Sequence, residues 1–96
     1  MKEPQLSPAE RDEALRTVPE WTLREDGRAI SRTFRFASFS EAFAFITRVA
    51  LIAEQQNHHP DWANSYNRVD IAFTTHAAGG LTRRDIAAAR AVDHLA

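Results

Sequence analysis

The stretch from Ser38 to Pro60 constrains this chain more than any other. Ser38 with Glu41 three residues later reads as a capping box, so a helix starts there. Phe39, Ala42, Phe43, Ile46, Val49, Ala50 and Ala53 then recur at helical spacing. Pro60 disfavours the α region for the residue before it, so the helix stops by His59. Phe45 and Ile52 fall off the stripe, and Phe45 is expected on the outer side. A helix with two apolar faces has more to bury than one small sheet can cover. Two readings follow: a subunit interface on the second face, or a deeply buried central helix.

Alternating segments flank this helix on both sides. Upstream, Ser7 as N-cap, Pro8 at the first position and Glu10 start a first helix with a thin apolar face of Ala9, Ala14, Leu15 and Val18, ended by Pro19. Trp21 to Arg24 alternates like a half-buried strand, and Asp26-Gly27 signals a hairpin. Ala29 to Phe36 puts Ile30, Arg32, Phe34 and Phe36 on one face. There the Arg32 stem is expected to pack while its guanidinium reaches an edge or a carboxylate.

Downstream, Trp62 to Tyr66 is a short strand and Asn67-Arg68 a tight turn. Val69, Ile71, Phe73 and Thr75 alternate with Asp70, Ala72, Thr74 and His76. Ala77 to Gly80 is a loop. Thr82 and Asp85 box the start of a last helix that runs to about Leu95, with Ile86, Ala89 and Val92 inward. The order α-β-β-α-β-β-α implies an α+β fold: a four-stranded antiparallel sheet with three helices packed on one face. Residues 1–96 are expected to form a single domain with 1–5 loose. So small a sheet leaves edges that pairing between subunits would hide.

Composition removes several classes of function. With 44% hydrophobic and 26% charged residues the chain is neither disordered nor fibrous. No apolar run approaches the roughly 20 residues of a membrane span. The chain has no cysteine, which excludes disulfides, thiolate zinc sites, iron–sulfur clusters and cysteine nucleophiles. With an N-terminal MKEPQLSPAE too charged for a signal peptide, the expected location is cytoplasmic. Net charge is -1, and no segment is basic enough for direct nucleic-acid binding.

The residues with most chemical potential are His58, His59 and His76. Histidine exchanges protons near neutral pH, its unperturbed pKa being about 6.5. Glu54 lies one helical turn before His58 and is positioned to orient it. Asp85 follows the loop from His76. Plainer readings stand beside these: a polar helix end for His58-His59, a capping acid for Asp85, a solvated residue for Glu54. His94 is assigned no role. Three imidazoles can also bind zinc with a water position left open. However, adjacent residues at a helix end point apart and no His-x-x-x-His pair exists, so no metal is expected. Phosphate-cradling glycine loops and a nucleophile elbow are absent from the sequence.

Glu54-Gln55-Gln56-Asn57-His58-His59-Pro60-Asp61-Trp62, Tyr66-Asn67-Arg68-Val69, Thr75-His76, Gly80-Leu81-Thr82 and Asp85 together resemble the signature of the pterin-4a-carbinolamine dehydratases. Leu6-Ser7, Pro19-Glu20-Trp21, Ile30 to Phe34, Phe36 and the segment Phe39 to Ala53 fit as well, so the resemblance covers nearly the whole chain. It implies a hydro-lyase that removes water from 4a-hydroxytetrahydrobiopterin to give quinonoid dihydropterin, a step of tetrahydrobiopterin recycling, with no metal or organic cofactor. It further implies His58 and His76 as the acid/base pair and His59 as a catalytic and pterin-holding residue. Glu54 and Asp85 would support the imidazoles. Trp62 would wall the substrate pocket, its alternative being a strand residue packed in the core.

The implied assembly is a homodimer or a homotetramer, the latter through the central helix, with an aromatic amino acid hydroxylase as a further candidate partner. The alternative reading is a binding module, a dimerisation or regulatory partner of a transcription factor or of such a hydroxylase.

Overall fold

Alternation builds the inner face of the sheet. The computed structural model describes residues 3–96; Met1 and Lys2, part of the segment expected to be loose, lie outside the described residues. The elements are α1 (Pro8–Leu15), β1 (Thr22–Leu23), β2 (Ile30–Arg35), α2 (Phe39–Gln56), β3 (Asp61–Ser65), β4 (Arg68–Phe73), a 3-10 turn over His76–Ala78, and α3 (Arg83–Asp93). The strands form one antiparallel sheet in the order β1-β2-β4-β3. The register sets Ile30 opposite Phe73, Arg32 opposite Ile71 and Phe34 opposite Val69. Because side chains alternate across a strand, these residues share one face. All but Arg32 belong to the core, with Ala42, Phe45, Val49 and Ala53 of α2 and Ile86, Ala89 and Val92 of α3. Ser31, Thr33, Asp70 and Ala72 point to the opposite face.

Helix starts follow their caps. Ser7 and Glu10 form a reciprocal capping box, as do Thr82 and Asp85. At α2 only half of the expected box forms: the Ser38 hydroxyl accepts from the Glu41 amide. The Ser7 backbone N–H, then its side chain, holds Glu10 below its ordinary carboxylate range. The stabilisation from that cap is therefore present above the ordinary range and is lost as pH falls through the lowered value. No residue of α1 is buried, so α1 stops at Leu15, well before Pro19. Its anchor is Leu6, buried just before the cap, whose amide donates to the Leu81 carbonyl at 2.8 Å.

Other boundaries also shift. Only Thr22–Leu23 pairs in the first strand, because Trp21 turns into the core and its indole N–H donates to Asp93 at 2.9 Å. The same Asp93 oxygen accepts from Arg32 at 2.7 Å, and the guanidinium lies 4.4 Å over the Phe34 ring. The stem-and-head arrangement expected for Arg32 thus holds. Its carboxylate partner lies at the end of α3, which stops there rather than at Leu95. The first hairpin has a wider connection than a two-residue turn. Arg24 and Ala29 close it, and Gly27 alone takes a positive φ, of 71°. The second hairpin turns at Tyr66-Asn67, one residue early, with Tyr66 at φ 51°. The Asn64 amide donates to the carbonyls of Tyr66 and Arg68 across that turn.

The main correction concerns the rotation of α2. Phe45, expected outside, is 3% exposed, whereas Phe39 and Phe43 of the expected inner stripe are 48% and 54% exposed. Ala42, Val49 and Ala53 of the expected stripe are buried, so the inner face is turned toward Phe45 rather than replaced. Phe45 fits against Phe34 and Phe36, with ring centroids 4.7 and 5.0 Å away. Phe39, Phe43 and Leu51 remain as the exposed large apolar residues of α2. Phe43 and Ile46 meet Trp62 of the edge strand β3 around a groove of about 230 Å³.

Urea denaturation checks this rotation. Phe45→Ala is expected to destabilise the protein by about 3–5 kcal/mol, the range for truncating a buried aromatic. Phe43→Ala, read at protein concentrations low enough to keep the subunit alone, is expected to stay within about 0.5 kcal/mol. Equal losses at the two positions would contradict the observed facing.

Candidate active site

A Schellman-type ending on α2 decides where the histidines go. Asn57 takes the left-handed conformation, φ 49° and ψ 45°. The His58 amide donates to the Ala53 carbonyl at 3.0 Å and the Asn57 amide to Glu54 at 3.2 Å. This is the six-to-one and five-to-two pattern that closes a helix and reverses the chain. The Arg84 guanidinium of α3 caps the same end by donating to the carbonyls of Gln56, at 3.1 Å, and Asn57. Sequence reasoning missed Arg84, which reads there as one more helix-start cation.

The reversal turns His58 inward and His59 outward. His58 is 8% exposed, stacked on Phe73 with an interplanar angle of 15°. Its Nε2 lies 2.5 Å from Oδ1 of Asp85, which is fully buried. The second Asp85 oxygen accepts from the Thr75 hydroxyl and from the Thr82 amide, each at 2.9 Å. A buried carboxylate is tolerated when donors replace its water. Here the Thr75 hydroxyl and the Thr82 amide donate to one oxygen and the His58 ring meets the other, at the positive end of the α3 dipole. Asp85 is therefore both the capping acid and the partner of His58. A cavity of about 210 Å³, lined by Gln56, His58, Arg84 and Ala87, opens beside the imidazole.

Glu54 does not orient His58. Its carboxylate meets Nε2 of His59 at 2.7 Å, with both side chains more than half exposed. The one-turn relation to His58 fails because Asn57 leaves the helix before His58 is reached. His76 opens the 3-10 turn and is 84% exposed, with Nε2 3.9 Å from Asp61. That is a charge-pair distance rather than a hydrogen bond. Asp61, at the start of β3, has no periodicity signal and went unread in the sequence. Each histidine thus faces its own acid: Asp85, Glu54 and Asp61. Trp62 is 39% exposed and does not pack in the core; it lines grooves on both sides of β3. His94 caps the end of α3 and is exposed. Among the described residues no three His, Asp or Glu side chains are placed to hold a metal ion, and no helix is long and apolar enough to cross a membrane.

Comparison with known proteins adds a family. Residues 4–95 match the model described as "Pterin 4 alpha carbinolamine dehydratase". A protein of Novosphingobium aromaticivorans named "Putative pterin-4-alpha-carbinolamine dehydratase" is 59% identical over 88 residues, 92% of each chain. One of the same name from Burkholderia ambifaria is 52% identical over 90 residues, 94% of this chain and 88% of that one. The crystal structure of a "transcriptional coactivator/pterin dehydratase" from Brucella melitensis superposes with a TM-score of 0.92 at 43% identity, covering 96% and 98% of the two chains. A "pterin dehydratase-like protein" described as "a RuBisCO assembly factor in the alpha-carboxysome" shares the fold, with a TM-score of 0.69 at 23% identity over 79% and 88%.

The three histidines are expected to differ in stability cost, and His58 departs from the polar helix-end reading of His58-His59. His58→Ala removes a donor from buried Asp85 and is expected to cost about 1–3 kcal/mol. His59→Ala and His76→Ala, both exposed, are expected to stay within about 0.5 kcal/mol. Chemical denaturation of the three variants checks this order.

Proposed function

The chain belongs to the pterin 4 alpha carbinolamine dehydratase family, and on that premise we propose that it removes water from 4a-hydroxytetrahydrobiopterin to give quinonoid dihydropterin. The observation that carries this reading is His58 held on buried Asp85 beside a cavity, with His59 and His76 each facing an acid of its own. The reaction breaks the C4a–O bond and forms a C4a=N5 double bond. The hydroxyl leaves as water only if it gains a proton, and N5 must lose one. Two histidines, one for each transfer, suffice without a metal or organic cofactor. His58 and His76 take these roles. His59, fixed by Glu54, takes part in catalysis and holds the pterin. Asp85 aims His58, Asp61 faces His76, and Trp62 supplies an aromatic wall on the edge strand.

A second role in binding is supported by the exposed Phe39, Phe43 and Leu51 of α2 and by the unpaired edge of β3. The Brucella neighbour's description names a coactivator as well as a dehydratase. We propose self-association through these surfaces, as a homodimer or homotetramer in the cytoplasm, with an aromatic amino acid hydroxylase as a candidate partner.

Freshly generated 4a-carbinolamine tests the enzyme reading. After subtraction of the spontaneous rate, His58→Ala and His76→Ala are each expected to lower turnover about a hundredfold or more. The double variant is expected to lose less than the product of the two, as groups acting together do. EDTA is expected to leave the rate unchanged. Equal corrected rates for the double variant and the unmodified protein would defeat the proposal and favour a pure binding module.

Sedimentation tests the assembly. Phe43→Asp is expected to shrink the particle while the subunit stays folded, whereas a monomer in the unmodified protein would defeat self-association.

A further inference from the structure

Thr75 precedes His76 in the chain, yet its side chain points to the carboxylate that holds His58. We propose that Thr75 is a positioning residue that sets both proton-transfer histidines at once, an inference that rests on the dehydratase reading of the site. Its side chain acts on His58 through Asp85, and its backbone acts on His76 through the turn.

The side-chain half follows from proton counting. An ionised carboxylate only accepts, so the Thr75 hydroxyl must spend its one proton on Asp85 Oδ2, 2.9 Å away. Thr82 Oγ1 lies 2.8 Å from Thr75 Oγ1 and must then donate to it. Thr82 Oγ1 in turn accepts from the Arg84 amide at 3.2 Å. The order Arg84 N–H, Thr82 hydroxyl, Thr75 hydroxyl, Asp85 runs in one direction only, and such chains polarise each successive bond. It pins one Asp85 oxygen, so the other is aimed at Nε2 of His58. With Asp85 accepting at both oxygens, Nε2 is on this proposal the protonated nitrogen, and Nδ1 is left for proton transfer. No buried side-chain nitrogen or oxygen among the described residues lacks a partner, so the network is complete.

The backbone half fixes the turn that carries His76. The Thr75 amide donates to the Gly80 carbonyl at 3.1 Å and the Gly80 amide returns to Thr75 at 3.4 Å. This isolated bridge closes the 3-10 turn His76–Ala78, with Gly79 at φ 75° permitting the reversal. A valine at position 75 keeps this backbone and the side-chain shape but deletes the hydroxyl. The variant therefore separates the two halves.

Imidazole 1H–15N spectra of the full-length labelled protein test the assignment without any turnover. His58 is expected as the Nε2–H tautomer with slow solvent exchange. Thr75→Val is expected to speed that exchange by at least about tenfold, as the anchored carboxylate loosens. Thr75→Ser is expected to restore it. On 4a-carbinolamine, Thr75→Val is expected to lower kcat about ten- to a hundredfold, the effect of a small misplacement, with KM within about threefold. Thr75→Ser should recover most of that loss. An Nδ1–H tautomer for His58 in the unmodified protein overturns the proposal, whether or not Thr75→Val folds. An unchanged His58 exchange rate in Thr75→Val overturns it equally. If the unmodified protein shows no turnover, the dehydratase reading fails on its own, while the spectra still decide the role of Thr75.

Discussion

The fully buried carboxylate of Asp85 is the group on which the candidate site depends. A charge in that position is costly unless its water is replaced by donors. The fold supplies them from three places: the α2 terminus through His58, the end of the β4 segment through Thr75, and the start of α3 through Thr82. The same contacts that make the carboxylate tolerable also tie those segments together. A change to any member of this network therefore acts on the packing of all three segments.

A second shared acceptor organises the opposite end of α3. Asp93 takes hydrogen bonds from Trp21 and Arg32, joining the segment before β1, the middle of β2 and the last turn of the helix. Arg32 would otherwise interrupt the apolar inner face of the sheet. Its guanidinium instead lies over Phe34, a favourable arrangement of cation and ring face. Together the two aspartates hold α3 to the sheet by polar contacts at its ends, while Ile86, Ala89 and Val92 pack between them.

The family match and the geometry bear on different questions. The match over residues 4–95 establishes kinship and fold. The geometry distinguishes the histidines by burial and by partner. One is buried and locked to an acid; two are exposed beside acids of their own.

Much of this was legible in the residues. Ser7, Thr82 and Asp85 announce their helix starts by local hydrogen bonding, and β4 announces itself by alternation, so the element order is a local property of the sequence. His58, His59 and His76 stand out by residue type. What stayed hidden depends on contacts between distant residues. Periodicity placed Ala42, Val49 and Ala53 inward, but which flank joins them was set by the Phe34 and Phe36 rings, which pack against Phe45. The pairing of Glu54 follows from a single left-handed residue, Asn57, which redirects the chain after the helix. The alternation places Thr75 on the inner face but does not show its carboxylate partner, and the pairing of Asp61 with His76 spans two strands, so neither contact has a local signal. Local periodicity and capping determined which elements form; contacts between distant segments decided how they face and which acid each histidine meets, because those contacts exist only once the chain is folded.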